Sequence, residues 1–186
     1  MLKQGLGLLL FCASSQVFSA DVVVTTTEDV VKADNVCSLR EAIEYVNKGM
    51  PEAGYNGCGG KDASENIILS NTEYQLNSQI NISRSLNLRT QYDSSPTENM
   101  LGQKNAVIKM LGQDRIFNID RSLVALKPEE KDNLIQVSLF EITLKGCEAA
   151  VCKDQGGLIY NKEILSIELS QLLNGKAREG GAIYNA

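Results

Sequence analysis

Two Asp-Arg pairs stand on either side of a short apolar run, and their types suit carbohydrate chemistry. Asp114 and Arg115 precede the run, and Asp120 and Arg121 follow it. Glycosidases hold two carboxylates about 5–10 Å apart, and a lyase needs a desolvated Arg or Lys as its base. Asp114 and Asp120 are six positions apart, so they could lie on adjoining faces of one structure. The alternative, which we favour, is a set of corner residues that pair Arg with Asp in solvent.

The composition excludes several other chemistries. The chain of 186 residues has no histidine, which rules out Ser–His–Asp triads and histidine-based zinc sites. Its formal net charge is −5 and it has no basic stripe, which argues against a phosphate-tracking nucleic-acid binder. We therefore expect no cofactor, no metal site and no nucleic-acid partner. We favour a non-enzymatic segment over an enzyme.

The first twenty residues read as a secretory signal peptide. Lys3 supplies the positive region, Leu6 to Ala13 form the apolar run, and small residues at Ser19 and Ala20 predict cleavage near 19/20. The apolar run is too short to span a bilayer. The sequence thus predicts an exported chain that does not span the membrane in this segment.

Four cysteines remain once this leader, with its own cysteine, is removed. An even number of cysteines in an exported chain suggests disulfides, although four of them permit three pairings. Local spacing favours Cys37 with Cys58 and Cys147 with Cys152. The alternative is that they are buried free thiols.

One short helix is predicted near the beginning of the exported chain, over residues 39–47. Ser38 is a good N-cap residue, and Glu41 three positions later completes a capping box. The apolar side chains recur at the spacing of one helix face. That face consists of Leu39, Ala42, Ile43 and Val46.

The rest of the chain is typical of short strands. Asp21 to Val31 predicts an opening strand, and from Ser64 onward apolar-alternating runs are separated by polar corners. The strings "QGGLIYN" and "EGGAIYN" recur 24 residues apart, and "RIFNID" echoes them, with Phe117-Asn118 in the place of Tyr-Asn. This period favours an all-β fold, a parallel β-helix, over a β-sandwich. The charged insertion at 127–133 is predicted to be a loop.

These patterns divide the chain into three parts. Residues 1–20 are the leader, residues 21–63 an N-terminal cap containing helix 39–47, and residues 64–186 the first coils of the β-helix. The helix would cover the open edge of the first coil, where unpaired backbone groups and apolar side chains are exposed. A bond between Cys37 and Cys58 would fasten this cap. Asparagines at the corners could stack into ladders.

The string Cys37 to Ala42, "CSLREA", resembles the defining segment of the CSLREA-domain proteins. The "GGLIYN" and "GGAIYN" strings are similar to the repeats of polymorphic outer membrane proteins. The resemblance implies a right-handed, single-stranded parallel β-helix that is secreted or lies on the outer membrane or cell surface of a Gram-negative bacterium. It implies an adhesin-like or autotransporter passenger-like scaffold whose partners are surface glycans or proteins, and it implies no defined reaction.

Relatives of that kind continue into further coils where this sequence reaches Ala186. We therefore expect this chain to be the first part of a longer β-helix, and we expect it to self-associate through its open C-terminal coil. The alternative function is the N-terminal part of a carbohydrate-active β-helix enzyme, a polysaccharide lyase or glycoside hydrolase. That alternative requires clustered carboxylates with a Lys or Arg on one row of strands.

Overall fold

A computed structural model describes residues 19–91, 102–124 and 133–186. The predicted leader up to residue 18 and most of the predicted loop at 127–133 lie outside these residues. The described part contains one α-helix, α1, Leu39–Asn47. Its strands are β1 Ala20–Val23, β2 Ala63–Leu69, β3 Glu73–Leu76, β4 Ile80–Ile82, β5 Leu86–Thr90, β6 Ala106–Met110, β7 Phe117–Ile119, β8 Gln136–Phe140, β9 Ile142–Lys145, β10 Lys153–Gln155, β11 Ile159–Asn161, β12 Ile164–Glu168, β13 Gln171–Leu173, β14 Ala177–Glu179 and β15 Ile183–Asn185.

The strands form parallel sheets whose order follows the chain. The first sheet has the order β1-β2-β5-β8-β12, the second β3-β6-β9-β13 and the third β4-β7-β11-β15, with β10 and β14 as a separate pair. All of these pairings are parallel. From β2 onward the chain visits the first, second and third sheets in the same order four times. The fold is therefore all-β and parallel, with little helix.

The core lies on the inner faces of these sheets, where alternate strand residues meet in rows. In the first sheet Ile67 lies beside Leu88, and Leu88 beside Leu139, and all three side chains are fully buried. The residue between two buried positions points outward, as Asn87 does in β5. Because neighbouring strands from β2 onward are parallel and keep their register, apolar side chains stack on apolar ones from strand to strand.

The two "IYN" strings pair as the repeat predicted, but the third echo is displaced by one residue. Ile159 pairs with Ile183 across β11 and β15. On the other side of β11, however, Phe117 pairs with Ile159 and Asn118 with Tyr160. The predicted equivalence of Phe117 with Tyr160 is therefore wrong. Phe117 is fully buried, and strand alternation requires it to share the inward row with Ile159.

The opening strand is shorter than predicted, because β1 ends at Val23. Beyond it the N–H groups of Thr25 and Thr26 donate to the carbonyl of Cys37, at 2.8 and 3.2 Å. Val24 still donates to the carbonyl of Ile68 in β2 at 3.0 Å, but the next two donors are satisfied by Cys37, two residues before the helix, rather than by β2. The prediction of a strand as far as Val31 is wrong for that reason.

Helix α1 packs mainly against β4 and also against β2. Its four predicted apolar residues are all buried. Ser38 Oγ accepts from the N–H of Glu41, and the Glu41 carboxylate accepts from the N–H of Ser38, so the capping box is complete. Tyr45, which the sequence analysis did not assign to the buried face, is fully buried too.

The two disulfides join Cys37 to Cys58 and Cys147 to Cys152, the pairs that local spacing favoured. The first links the residue before the helix cap to the glycine-rich loop after the helix. Closing a loop of that size removes about 3 kcal/mol of conformational freedom from the unfolded chain on the entropy model. Disulfides fit an extracellular or secreted protein, because they persist in oxidising compartments.

Candidate functional site

The structure does not bring the two candidate carboxylates together. Asp114 precedes β7 and Asp120 follows it. Each carboxylate pairs with a different lysine, Asp114 with Lys153 at 3.0 Å and Asp120 with Lys162 at 2.8 Å. Neither described ion pair involves an arginine, so the predicted pairing of Arg with Asp is wrong.

Asp120 is held as a carboxylate by its neighbours. Burial favours its neutral form, but hydrogen bonds from Lys162 and Ser122 outweigh burial and lower the pKa of Asp120. The same hydrogen bond raises the pKa of Lys162. Asp120 also caps the short 3₁₀ turn Arg121–Leu123 by accepting from the Ser122 N–H at 2.8 Å. A carboxylate with these partners organises a corner and is not poised to donate a proton.

Asp114 has a comparable structural role at the other end of β7. One of its oxygens accepts from the N–H of Gln79 at 3.2 Å, and the other accepts from the N–H of Arg115 at 2.9 Å. Its carboxylate therefore connects the loop between β3 and β4 to the segment before β7, besides pairing with Lys153. Its acceptor capacity is used within the fold.

Arg115 lies against an aromatic stack. Its guanidinium carbon is 5.0 Å from the ring centroid of Tyr160. The Tyr160 ring stacks in turn on that of Tyr184, with centroids 5.6 Å apart and planes inclined by 12°. Burial lowers the pKa of Arg115, although Asp114 and Tyr160 oppose the shift. Cation–π contact accounts for a guanidinium in this position.

These tyrosines belong to an outward row on the third sheet, which we call the outer row. The row runs Asn81, Asn118, Tyr160, Tyr184, one residue from each of β4, β7, β11 and β15. Asn118 Nδ2 donates to Asn81 Oδ1 at 3.3 Å. On the first sheet Asn87 donates to Asn66 at 2.8 Å. Asparagines thus stack as predicted, but these two pairs lie within strands rather than at corners.

Arg40 lies in the first turn of α1 and fastens this helix to the loop between β3 and β4. Its guanidinium donates twice to Asp29, from Nε at 2.6 Å and from Nη2 at 3.0 Å. Its Nη1 atom donates to the carbonyl of Gln79 at 3.0 Å, and Asp29 accepts from the N–H of Asn77 at 2.8 Å. Bidentate Arg–carboxylate pairs of this kind fix geometry. The side chain of Arg40 is therefore used to hold α1 in place.

Arg121, the fourth candidate, lines an open pocket beside the C-terminal end of α1. Its backbone N–H donates to Glu163 Oε1 at 3.0 Å, and Glu163 Oε2 accepts from the N–H of Ile135 at 3.0 Å. Glu163 therefore joins Arg121 to Ile135, two residues that both line this pocket. Arg121 thus lines a space large enough for a small ligand.

The partners Lys153, Lys162 and Glu163 were missed by sequence reasoning. Each lies on or just beside a later strand and reaches back to a residue near β7 through the stacking of strands. Nothing local in the sequence links them, because the contacts depend on the register between distant segments. By contrast, the placement of Asn161 beside Asn185, which share a hydrogen bond at 3.1 Å, follows from the visible repeat.

Within residues 19–91, 102–124 and 133–186, no three His, Cys, Asp or Glu side chains gather into a group that could hold a metal ion. The helix in that part of the chain is not long and apolar enough to cross a membrane.

Comparison with known proteins gave no match. No family model, no curated protein and no solved structure matches the chain.

Proposed function

We propose that this chain is a secreted or cell-surface scaffold, adhesin-like or autotransporter passenger-like, and non-catalytic in this segment. Its fold is a right-handed, single-stranded parallel β-helix with α1 as its N-terminal cap. It belongs with the CSLREA-domain proteins that carry polymorphic outer membrane protein-type repeats, on the outer membrane or surface of a Gram-negative cell. Its partners are surface glycans or proteins, met by its exterior.

One observation carries this proposal. The strands visit three parallel sheets in the same order on four successive passes, with β1 and α1 at one end. A chain wound in this way displays outward side chains in straight rows, and the outer row is the clearest of them. Regularly spaced polar and aromatic side chains suit contacts with an extended partner. The two disulfides support an exported location.

The enzymatic alternative has less support. A β-helix lyase or hydrolase needs carboxylates close to a cationic base, and the fold alone does not supply a reaction. Asp114 and Asp120 lie at opposite ends of β7 and are each engaged by a lysine. We therefore prefer binding without turnover.

The experiment that tests the proposal presents the purified chain to a panel of immobilised acidic and neutral polysaccharides and to intact bacteria. We expect saturable retention without release of reducing ends or unsaturated products. Release of either product that depends on chain concentration would replace the scaffold with an enzyme. Absence of retention on every surface would contradict the binding role.

The isolated chain is also expected to self-associate. The strands β12, β13 and β15 each pair on one side only within the described residues. Beside this edge Ile164, Leu169 and Leu173 are between 43% and 63% exposed. Edge backbone groups next to exposed apolar side chains favour strand addition. Light scattering over a concentration series should show an increasing mean mass, and a constant monomer mass at all concentrations would contradict this expectation.

A further inference from the structure

The outward face of the second sheet carries a row of four side chains, one from each strand, which we call the lysine row. The row runs Gln75, Lys109, Lys145, Leu173, because these residues pair directly across β3, β6, β9 and β13. Neighbouring strands are about 4.8 Å apart, so the row extends over about 14 Å. Gln75 and Leu173 are exposed, and the two lysines are half-buried. A partner can therefore contact all four side chains from outside the sheet.

The two lysines of this row stand side by side without a counter-charge. Neither ammonium group has an ion pair or a hydrogen bond in the described part of the chain, whereas Lys153 and Lys162 each bind an aspartate. Lys104, in the segment before β6, has an interaction of its own within the chain. Like charges on directly paired residues repel each other. An anion between Lys109 and Lys145 would relieve that repulsion.

The two ends of the lysine row differ in chemistry. At the β3 end, Gln75 Nε2 donates to Glu73 Oε1 at 2.8 Å, and Glu28 lines the same open pocket as both of these residues. Neither glutamate forms an ion pair with another described residue. At the β13 end, Leu173 is 43% exposed. The row therefore presents a negative zone, a positive zone and an apolar zone, in that order.

The spacing of these three zones equals the spacing of alternate residues in an extended chain. The midpoint between Lys109 and Lys145 is one and a half strand spacings, about 7 Å, from both Gln75 and Leu173. Alternate side chains of an extended segment point to the same side and are about 6.8 Å apart. A segment lying along the row would thus place one side chain over each zone.

We propose that the lysine row binds an extended segment of a surface protein in which a cationic, an acidic and an aliphatic side chain stand at alternate positions. The cation meets Glu73, the acid lies between the two lysines, and the aliphatic side chain packs on Leu173. Complementary charges in this order fix the register of the segment. Leu173 favours a protein over a glycan, because an aliphatic side chain buries apolar surface there. This inference rests on the proposed binding role and selects one of its two partner classes.

The test uses the peptide Lys-Gly-Glu-Gly-Leu with acetyl and amide ends. The control peptide, Glu-Gly-Lys-Gly-Leu, has the same composition and charge with the first two zones exchanged. Saturation-transfer NMR detects the small ligand, so the signal is observed even when the chain self-associates. We expect saturable transfer to the leucine methyl and glutamate methylene protons of the first peptide, and a weaker effect with the control peptide. Sodium chloride should weaken binding, since the contacts are ionic.

The decisive variants are Lys109→Gln and Lys145→Gln, with Lys61→Gln as the matched control. Lys61 is an exposed lysine that also has no ion pair among the described residues, but it lies in the loop before β2. Each change in the row should weaken peptide binding about threefold to tenfold. Lys61→Gln should leave it unchanged. The row variants should also unfold at a slightly higher temperature than the unmodified chain, because each removes a like-charge repulsion.

Other results overturn the assignment. Equal binding of the two peptides would refute the order of the zones, and binding that survives both row variants or resists salt would place the peptide elsewhere. Tighter binding of a sulfated disaccharide, lost in the same variants, would assign the row to a glycan. Absence of transfer up to millimolar peptide would refute the row as a binding site, whereas retention of the chain on intact bacteria tests the proposed function separately.

Discussion

Replacement of Glu41 by alanine is expected to lower the free energy of unfolding by about 2–4 kcal/mol, because one buried and one partly buried backbone donor lose their acceptor. The Glu41 side chain is fully buried. It accepts from the N–H of Ser38 at 3.0 Å and from the N–H of Lys32 at 2.7 Å. It therefore closes the capping box and also fixes the segment before the helix. Urea denaturation followed by circular dichroism measures the change.

The matched control is Glu44→Ala in the same helix. Glu44 forms only a surface pair with Lys48, at 3.2 Å. A pair of this kind contributes about 0.3–0.5 kcal/mol. Glu41→Gln keeps an acceptor oxygen and should fall between the two alanine variants. Equal small losses for Glu41→Ala and Glu44→Ala would show that the capping box contributes little to stability.

Replacement of Gly59 by alanine is expected to cost about 3 kcal/mol or more, from backbone strain and from overpacking together. Gly59 has φ of 64°, which is in the left-handed region. A Cβ atom there would lie 2.2 Å from Cζ of Tyr45. The ring cannot withdraw, because it is fully buried and its hydroxyl donates to the carbonyl of Gly60 at 3.0 Å. Thermal unfolding should show a lower midpoint.

Gly181→Ala is the control for this variant. The φ of Gly181 lies outside the left-handed region, and an added Cβ would meet nothing closer than Gly175 O at 3.4 Å. A Gly-to-Ala change at a compatible site stabilises by about 0.4–1 kcal/mol, because it restricts the unfolded chain. The two variants should therefore differ in sign. A Gly59→Ala protein as stable as Gly181→Ala would show that the loop relaxes around Tyr45.

The features that could be predicted from the sequence depend on residues that lie close together in it or on strings that recur along it. Helix α1 covers the residues that the capping signal and the apolar spacing predicted, since Ser38, Glu41 and the buried face lie within nine positions of one another. The cysteine pairs follow from separations of 21 and 5 residues. The parallel all-β arrangement was indicated by the repeated string. In each of these cases the deciding interactions are local or are copied along the chain.

The features that were not predictable depend on contacts between different passes of the chain. Phe117 looked equivalent to Tyr160 by residue type, but burial in the shared core moved the register by one position. The lysines that neutralise Asp114 and Asp120 come from later strands, where sequence reasoning offered only the neighbouring arginines. The open pocket that Arg121 lines likewise forms between segments that are distant in sequence. No local pattern encodes these pairings.

The sheet order also determines how this molecule would respond to tension. Within each of the three larger sheets, a strand is hydrogen-bonded only to the passes immediately before and after it in the chain. A force that draws the C-terminal end away would therefore peel one pass at a time. The last pass, whose paired residues are 24 apart, would release about 80 Å of extended chain. At the other end the Cys37–Cys58 bond would carry the force directly. The residues between these two cysteines, α1 included, would therefore be the least extensible part of the chain.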